Sequence, residues 1–126
     1  MASRPSITPF HVLTNADMSV VGRTVSKVSI VQDIPIISYD LDWAGSAPNG
    51  TVTVEASNTY VQSAGGAVKT PGNWNTIPLS AAAVVSGNTG VGAIHIENVG
   101  FYAIRLVYTA VSGTGALNAT VCGKVY

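Results

Sequence analysis

Ile37, Tyr39, Leu41 and Trp43 alternate with Ser38, Asp40 and Asp42. That period of two is the pattern of a β-strand with one buried and one wetted face. Val52, Val54 and Ala56 alternate in the same way with Thr51, Thr53 and Glu55. Ala47-Pro48-Asn49-Gly50 lies between these two runs, and its Asn-Gly pair favours the positive φ angles of a tight turn, so the two runs are predicted to form a hairpin. Further along, Ile94 and Ile96 flank His95, and Tyr102, Ile104, Leu106 and Tyr108 alternate with Ala103, Arg105 and Val107. After Ser112-Gly113-Thr114-Gly115 a last run places Leu117, Ala119 and Val121 on one face. These three runs, joined by glycine-bearing turns, read as an antiparallel meander.

Met18–Val21 and Val25–Gln32 are rich in β-branched residues and are predicted to form two strands. Pro35 implies that the strand after it starts at an edge or a bulge. Leu79–Val85 is the one stretch with helix propensity, from its alanine run, and Gly87 ends it. Tyr60–Asn75 reads as a long connection, of a length that in so small a domain is either functional or packed in an interface. The expected fold is all-β: a single antiparallel β-sandwich of seven to nine strands, jelly-roll or immunoglobulin-like, over residues 11–126. Residues 1–10, with Pro5 and Pro9, read as an extended N-terminal arm.

Composition narrows the function classes. The chain has 126 residues, the size of one domain. Apolar residues make up 47% of it, enough for a substantial core. Charged residues make up only 10%, against roughly 25% in an average soluble protein. Six Lys and Arg balance six Asp and Glu, so there is no basic excess of the kind nucleic-acid binding needs. Net charge near zero also favours association with other copies. The single Cys122 cannot form an internal disulfide. The first residues lack the apolar core of a secretory signal, and no apolar run approaches the ~20 residues of a membrane-spanning helix. Synthesis and folding in a cytoplasm, without membrane insertion, are therefore expected.

Catalytic and metal-binding readings find little support in the residues. His11 falls in the arm and His95 on the wet face of a strand, and no serine occupies a nucleophile elbow. Asp40 and Asp42 point the same way from one strand, but acid–base pairs work in clefts that separate their environments. No Asp-rich loop supplies the 6–8 oxygens of a calcium site, and Cys122 has no partner for zinc. Gly87-Asn88-Thr89-Gly90-Val91-Gly92 lacks the lysine and the helix of a phosphate loop and reads as a turn. Asn49-Gly50-Thr51 and Asn118-Ala119-Thr120 match the glycosylation pattern and read as turn and strand residues. No enzyme activity, cofactor or metal is expected. Among the aromatics, Trp43, Tyr102 and Tyr108 are expected in the core. Tyr60 and Trp74 bracket the long connection and are candidates for a sugar-stacking platform, with Asp40 and Asp42 as further ligand contacts. Arg105 is expected on an outer face, either paired with Glu97 across a hairpin or simply solvated.

The order of these motifs carries a resemblance. Gly50-Thr51-Val52-Thr53-Val54-Glu55-Ala56-Ser57-Asn58, Asn73-Trp74-Asn75-Thr76-Ile77, Ala103-Ile104-Arg105-Leu106-Val107-Tyr108-Thr109 and Ser112-Gly113-Thr114-Gly115-Ala116-Leu117 follow one another. This resembles small β-sandwich proteins of tailed-bacteriophage virions, over about residues 37 to 126. In those a V-x-V-x-x-S strand leads to a Trp-bearing loop, and an A-I-R-L-x-Y strand leads to a Ser-Gly-x-Gly hairpin. Similar V-x-V-x-x-S strands also occur in fibronectin-like and discoidin-like adhesion modules. The resemblance implies a multicopy virion component, a head decoration, fibre or tail protein, whose partners are itself (a trimer among the options) and other virion proteins. Arg4, Pro5, Ile7, Pro9 and Phe10 of the arm, with the Tyr60–Asn75 loop, would be its contacts. The alternative is a carbohydrate- or receptor-binding module that grips a cell-surface glycan through Tyr60, Trp74, Asp40 and Asp42.

Overall fold

The computed structural model describes residues 7–19, 22–32, 34–79, 83–97 and 99–124. Every element among them is a β-strand: β1 (Ile7–Asp17), β2 (Gly22–Val25), β3 (Ser29–Ile30), β4 (Ile36–Ser57), β5 (Val61–Gln62), β6 (Val68–Thr70), β7 (Asn75–Ile77), β8 (Ala83–Val85), β9 (Thr89–Ile96) and β10 (Ala103–Lys124). All pairings are antiparallel. Eight of the strands form one sheet, and β5 and β6 form a small second one. No helix of the described residues is long and apolar enough to cross a membrane.

The frame is a pair of 22-residue strands, β4 and β10, matched from Ala103↔Ser57 to Lys124↔Ile36. Side-chain burial explains how so long a ribbon folds back. In β4 the buried positions are Ile37, Tyr39, Leu41 and Trp43, then four exposed residues pass, and burial resumes at Pro48, Gly50, Val52, Val54 and Ala56. The buried positions have switched from odd to even. In β10 they switch from Ile104, Leu106 and Tyr108 to Leu117, Ala119 and Val121. A change of parity requires an extra residue, which is what a β-bulge supplies together with a bend. The register breaks between Ala110 and Thr114, and Ala47 (φ 49°) and Gly113 (φ 85°) take left-handed backbone where the two bulged stretches meet.

The bend divides the sheet into halves. In the first, β1, the end of β10, the start of β4 and β9 lie side by side. In the second, β2 and β3 flank the start of β10, whose partner is the end of β4, flanked in turn by β7 and β8. The buried faces of both halves contribute to one apolar cluster, which includes Tyr39, Trp43, Leu117 and Val121 from the first and Val54, Val85, Leu106 and Tyr108 from the second. β2 and β3 would be one strand but for Ser26, whose Oγ accepts the Leu106 N–H at 2.8 Å where the ladder is interrupted.

Several expectations are corrected. Neither Asn49-Gly50 nor Ser112–Gly115 makes a hairpin, because each stretch lies opposite the other and supplies the bend of a continuous strand. The predicted meander is therefore β9 followed by one strand, β10. Ala83–Val85, expected in a helix, pairs as strand β8 with Gly50–Val52. Of the strand expected at Met18–Val21, Met18 and Ser19 follow β1 outside any strand, Met18 donating its N–H to the Gly115 carbonyl at 3.0 Å, and Val20 and Val21 lie outside the described residues. Residues 7–10, the last part of the stretch read as an extended arm, are the start of β1 and pair with β10, while residues 1–6 lie outside the described residues. The sequence hid this strand because its alternation is broken: a register shift leaves Val12 and Leu13 both buried. The long connection holds the β5–β6 hairpin.

Candidate functional site

On the outer face of the second half, period-two alternation sends Thr51, Thr53 and Glu55 away from the core, and the register sets Arg105 directly opposite Glu55. Arg105 donates from Nε (2.9 Å) and Nη2 (2.8 Å) to Glu55 Oε1. Arg23, from β2, donates Nη2 to Oε2 at 2.6 Å. Partial burial pushes the Glu55 carboxyl pKa up, but hydrogen bonds from Arg105 and Arg23, with their charges, outweigh it and hold the group below its ordinary value. The far face of the Arg105 guanidinium lies 4.2 Å from the Trp74 ring centroid. Trp74 leans on Tyr60 with centroids 5.6 Å apart at 57°, and its Nε1 donates to the Pro71 carbonyl at 2.8 Å. The chain Arg23–Glu55–Arg105–Trp74–Tyr60 thus fastens the Tyr60–Asn75 segment to the sheet. A carboxylate held ionised by two guanidinium groups is suited to bracing and unsuited to proton transfer near neutral pH.

The outer face of the first half carries mostly polar side chains. Asp42 Oδ1 accepts the Asn118 amide N–H at 2.9 Å, and Asn118 Oδ1 accepts the Asn15 N–H at 2.8 Å. His11 Nδ1 lies 3.1 Å from Thr120 Oγ1. Ser38 Oγ contacts His95 Nδ1 at 3.0 Å, and His95 Nε2 contacts Glu97 at 3.3 Å. The order serine–histidine–carboxylate is present there. Both the histidine and glutamate side chains are more than half exposed, however, and relays of this kind depend on a water-excluded site with donors aimed at an oxyanion. Among the described residues no group of three His, Cys, Asp or Glu side chains converges to hold a metal ion. A cleft of about 610 Å³ lies where the segments before β4 and before β10 meet Asn58. Gln32, Pro35, Phe101 and Tyr102 are among the described residues that line it, and these described residues include no carboxylate, histidine, serine or cysteine.

The sequence-derived candidates do not gather at one place. Tyr60 and Trp74 do meet, but Tyr60 is buried, and Trp74, half-buried, has one ring face covered by Arg105. Asp40 and Asp42 lie on the first half, beyond the bend. Ile7, Pro9 and Phe10 belong to β1; Phe10 is exposed, with Lys27 Nζ 5.4 Å from its ring centroid. Arg4 and Pro5 lie outside the described residues. Trp43 and Tyr108 are core residues as expected, whereas Tyr102 is only half-buried, in the turn before β10. Arg105 pairs with Glu55 and not with Glu97. Sequence reasoning passed over Glu55 and Arg23; the signal for Glu55 was its outward place in the Thr51–Thr53–Glu55 alternation.

No protein-family model matches the chain, and no curated protein does. Among solved structures, the SPBc2 prophage-derived protein YomS is similar at 10% identity and a TM-score of 0.44, over 92% of this chain and 96% of that one.

Proposed function

We propose that this chain is a non-enzymatic structural protein of a bacteriophage particle, present in multiple copies as a head decoration or tail component and held by protein–protein contacts. The observation that carries the reading is the character of the surface. Glu55 uses its charge on Arg23 and Arg105, while Val68, Val84, Val91 and Val111 stand exposed on a chain of zero formal net charge in which only 10% of residues are charged. Apolar positions in a nearly neutral surface suit contacts with an apolar centre and a polar rim. The strand motifs of the resemblance, Val52–Ser57 and Ala103–Tyr108, lie side by side in β4 and β10, which supports it further, although its Ser-Gly-x-Gly hairpin is a bend. The glycan-binding alternative relies on Tyr60 and Trp74, whose rings are engaged within the chain.

The test is quantitative mass spectrometry of gradient-purified particles released by cells that encode the chain. The reading expects the chain in those particles at a fixed multiple of the other structural proteins. Its absence from particles whose other proteins are all detected would overturn it.

A further inference from the structure

A sheet edge left open recruits other strands, so edges of stable monomers carry prolines, bulges or charged side chains. The first half of this sheet has two edges among the described residues, β1 and β9, and they are built differently. β1 contains Pro9, three register shifts against β10, and Asn15 in left-handed backbone (φ 48°). β9 has none of these devices. Its eight residues, Thr89-Gly90-Val91-Gly92-Ala93-Ile94-His95-Ile96, keep unbroken register with β4 from Ala44↔Thr89 to Ile37↔Ile96. It contains no proline and no Lys, Arg, Asp or Glu, and Val91 is 82% exposed.

We propose that the β9 edge pairs antiparallel with β9 of a second copy about a two-fold axis through Ala93. The inference rests on the assembly reading, for which it supplies one contact. The strand is self-complementary in that register. On the core side Gly92 meets Ile94 of the other copy and Gly90 meets Ile96, small against large each time. On the outer side Val91 meets His95 and Thr89 meets Glu97, so no charge meets its like. An isologous contact demands that one stretch fit itself, and this one does. A continuous eight-stranded sheet results, with four strands from each copy.

The experiment is absolute mass by light scattering across a concentration series, on the wild-type chain and three variants. Ala93 is exposed, so substitutions there leave the core untouched. The wild type is expected to be a dimer, or a multiple of one. Ala93→Gln keeps that state, whereas Ala93→Glu sets two carboxylates together at the axis and raises the dissociation constant about 100-fold or more. Mixing Ala93→Glu with Ala93→Lys restores the dimer, and circular dichroism checks that each variant retains its strands. A wild type that stays monomeric overturns the proposal, even if the chain is found in particles, because the occupant of the edge is then another protein. Unchanged mass for Ala93→Glu, or no dimer on mixing, also overturns it and leaves the assembly reading standing. Absence from particles overturns that reading while the edge pairing holds.

Discussion

The bend shared by β4 and β10 can be tested with two glycines. Gly113 and Gly66 both have positive φ, 85° and 88°. At Gly66 a β-carbon would meet nothing within 4 Å. At Gly113 it would fall on the Ala47 carbonyl oxygen and 2.7 Å from Pro48 Cα, both backbone atoms of the opposing strand. Gly66→Ala therefore carries only the left-handed backbone cost, about 1–2 kcal/mol, less about 0.5 kcal/mol because alanine loses less freedom on folding. Gly113→Ala carries the same cost plus about 1–3 kcal/mol for overlap that rigid backbone cannot relieve. At about 4 °C per kcal/mol for a chain of this size, Gly66→Ala should lower Tm by about 4 °C and Gly113→Ala by about 8–16 °C. Thermal unfolding followed by circular dichroism measures both, at one protein concentration so that association contributes equally. Equal losses from the two variants would show that Ala47 and Gly113 do not meet, and that the stretches turn separately as hairpins.

Two more substitutions probe the core and the outer face. The hydroxyls of Tyr39 and Tyr108 are buried without a hydrogen-bond partner, a condition that costs about 1–3 kcal/mol, so Tyr39→Phe should raise the denaturation midpoint; a loss above about 1 kcal/mol would mean the hydroxyl is satisfied. Burial also raises the Tyr39 pKa, so its share of stability is intact below the ordinary tyrosine range near pH 10 and declines as pH rises above it, a decline that Tyr39→Phe should lessen. Glu55→Gln should cost about 1–2 kcal/mol at neutral pH, the modest figure reflecting the half-exposed Arg23. Because the Glu55 pKa is lowered, that stabilisation is present above the ordinary carboxylate range and lost as pH falls through the folded value. The gap between wild type and variant should narrow as pH falls below the ordinary carboxylate range, and a gap independent of pH would refute the ionic account.

The runs Ile37–Trp43, Val52–Ala56, Ile104–Tyr108 and Leu117–Val121 were legible as strands because period-two burial depends only on local spacing. What Asn49-Gly50 and Ser112–Gly115 would do was not. A hairpin turn and a bend across paired strands call for the same residues, since both need left-handed or crowded backbone. The difference lies in the partner: Asn49 sits opposite Ser112, and Gly50 opposite Ala110, so two turn-like stretches fall together and neither reverses the chain. The site suffers the same limit. Glu97 looked like the partner of Arg105 because it is near in sequence, but the long-range register brings Glu55, fifty residues away, directly opposite. β1 was missed for the converse reason, since bulges that defend an edge also erase the alternation by which a strand is recognised.

Charge placement distinguishes an edge contact from a face contact on the first half of the sheet. Asp40 and Asp42 lie on its outer face, exposed, with Asp40 in register between Thr120 and Ala93. Stacking that face on the same face of another copy would bring the aspartates of both towards each other across one interface, where their desolvation is costly. Pairing at the β9 edge keeps the aspartates in water. The row across the axis would run Asp40, Ala93, then Ala93 and Asp40 of the other copy. Three strand spacings separate the carboxylates, about 14 Å at 4.8 Å each. That exceeds the Debye length of about 8 Å at physiological salt, so their repulsion is largely screened. At low salt, near 10 mM, the Debye length grows to about 30 Å and the pair should weaken. Asp40→Asn should then abolish most of the salt dependence and leave the dimer itself intact. A dimer that tightens as salt falls would place the aspartates against a positive surface and argue for a different face.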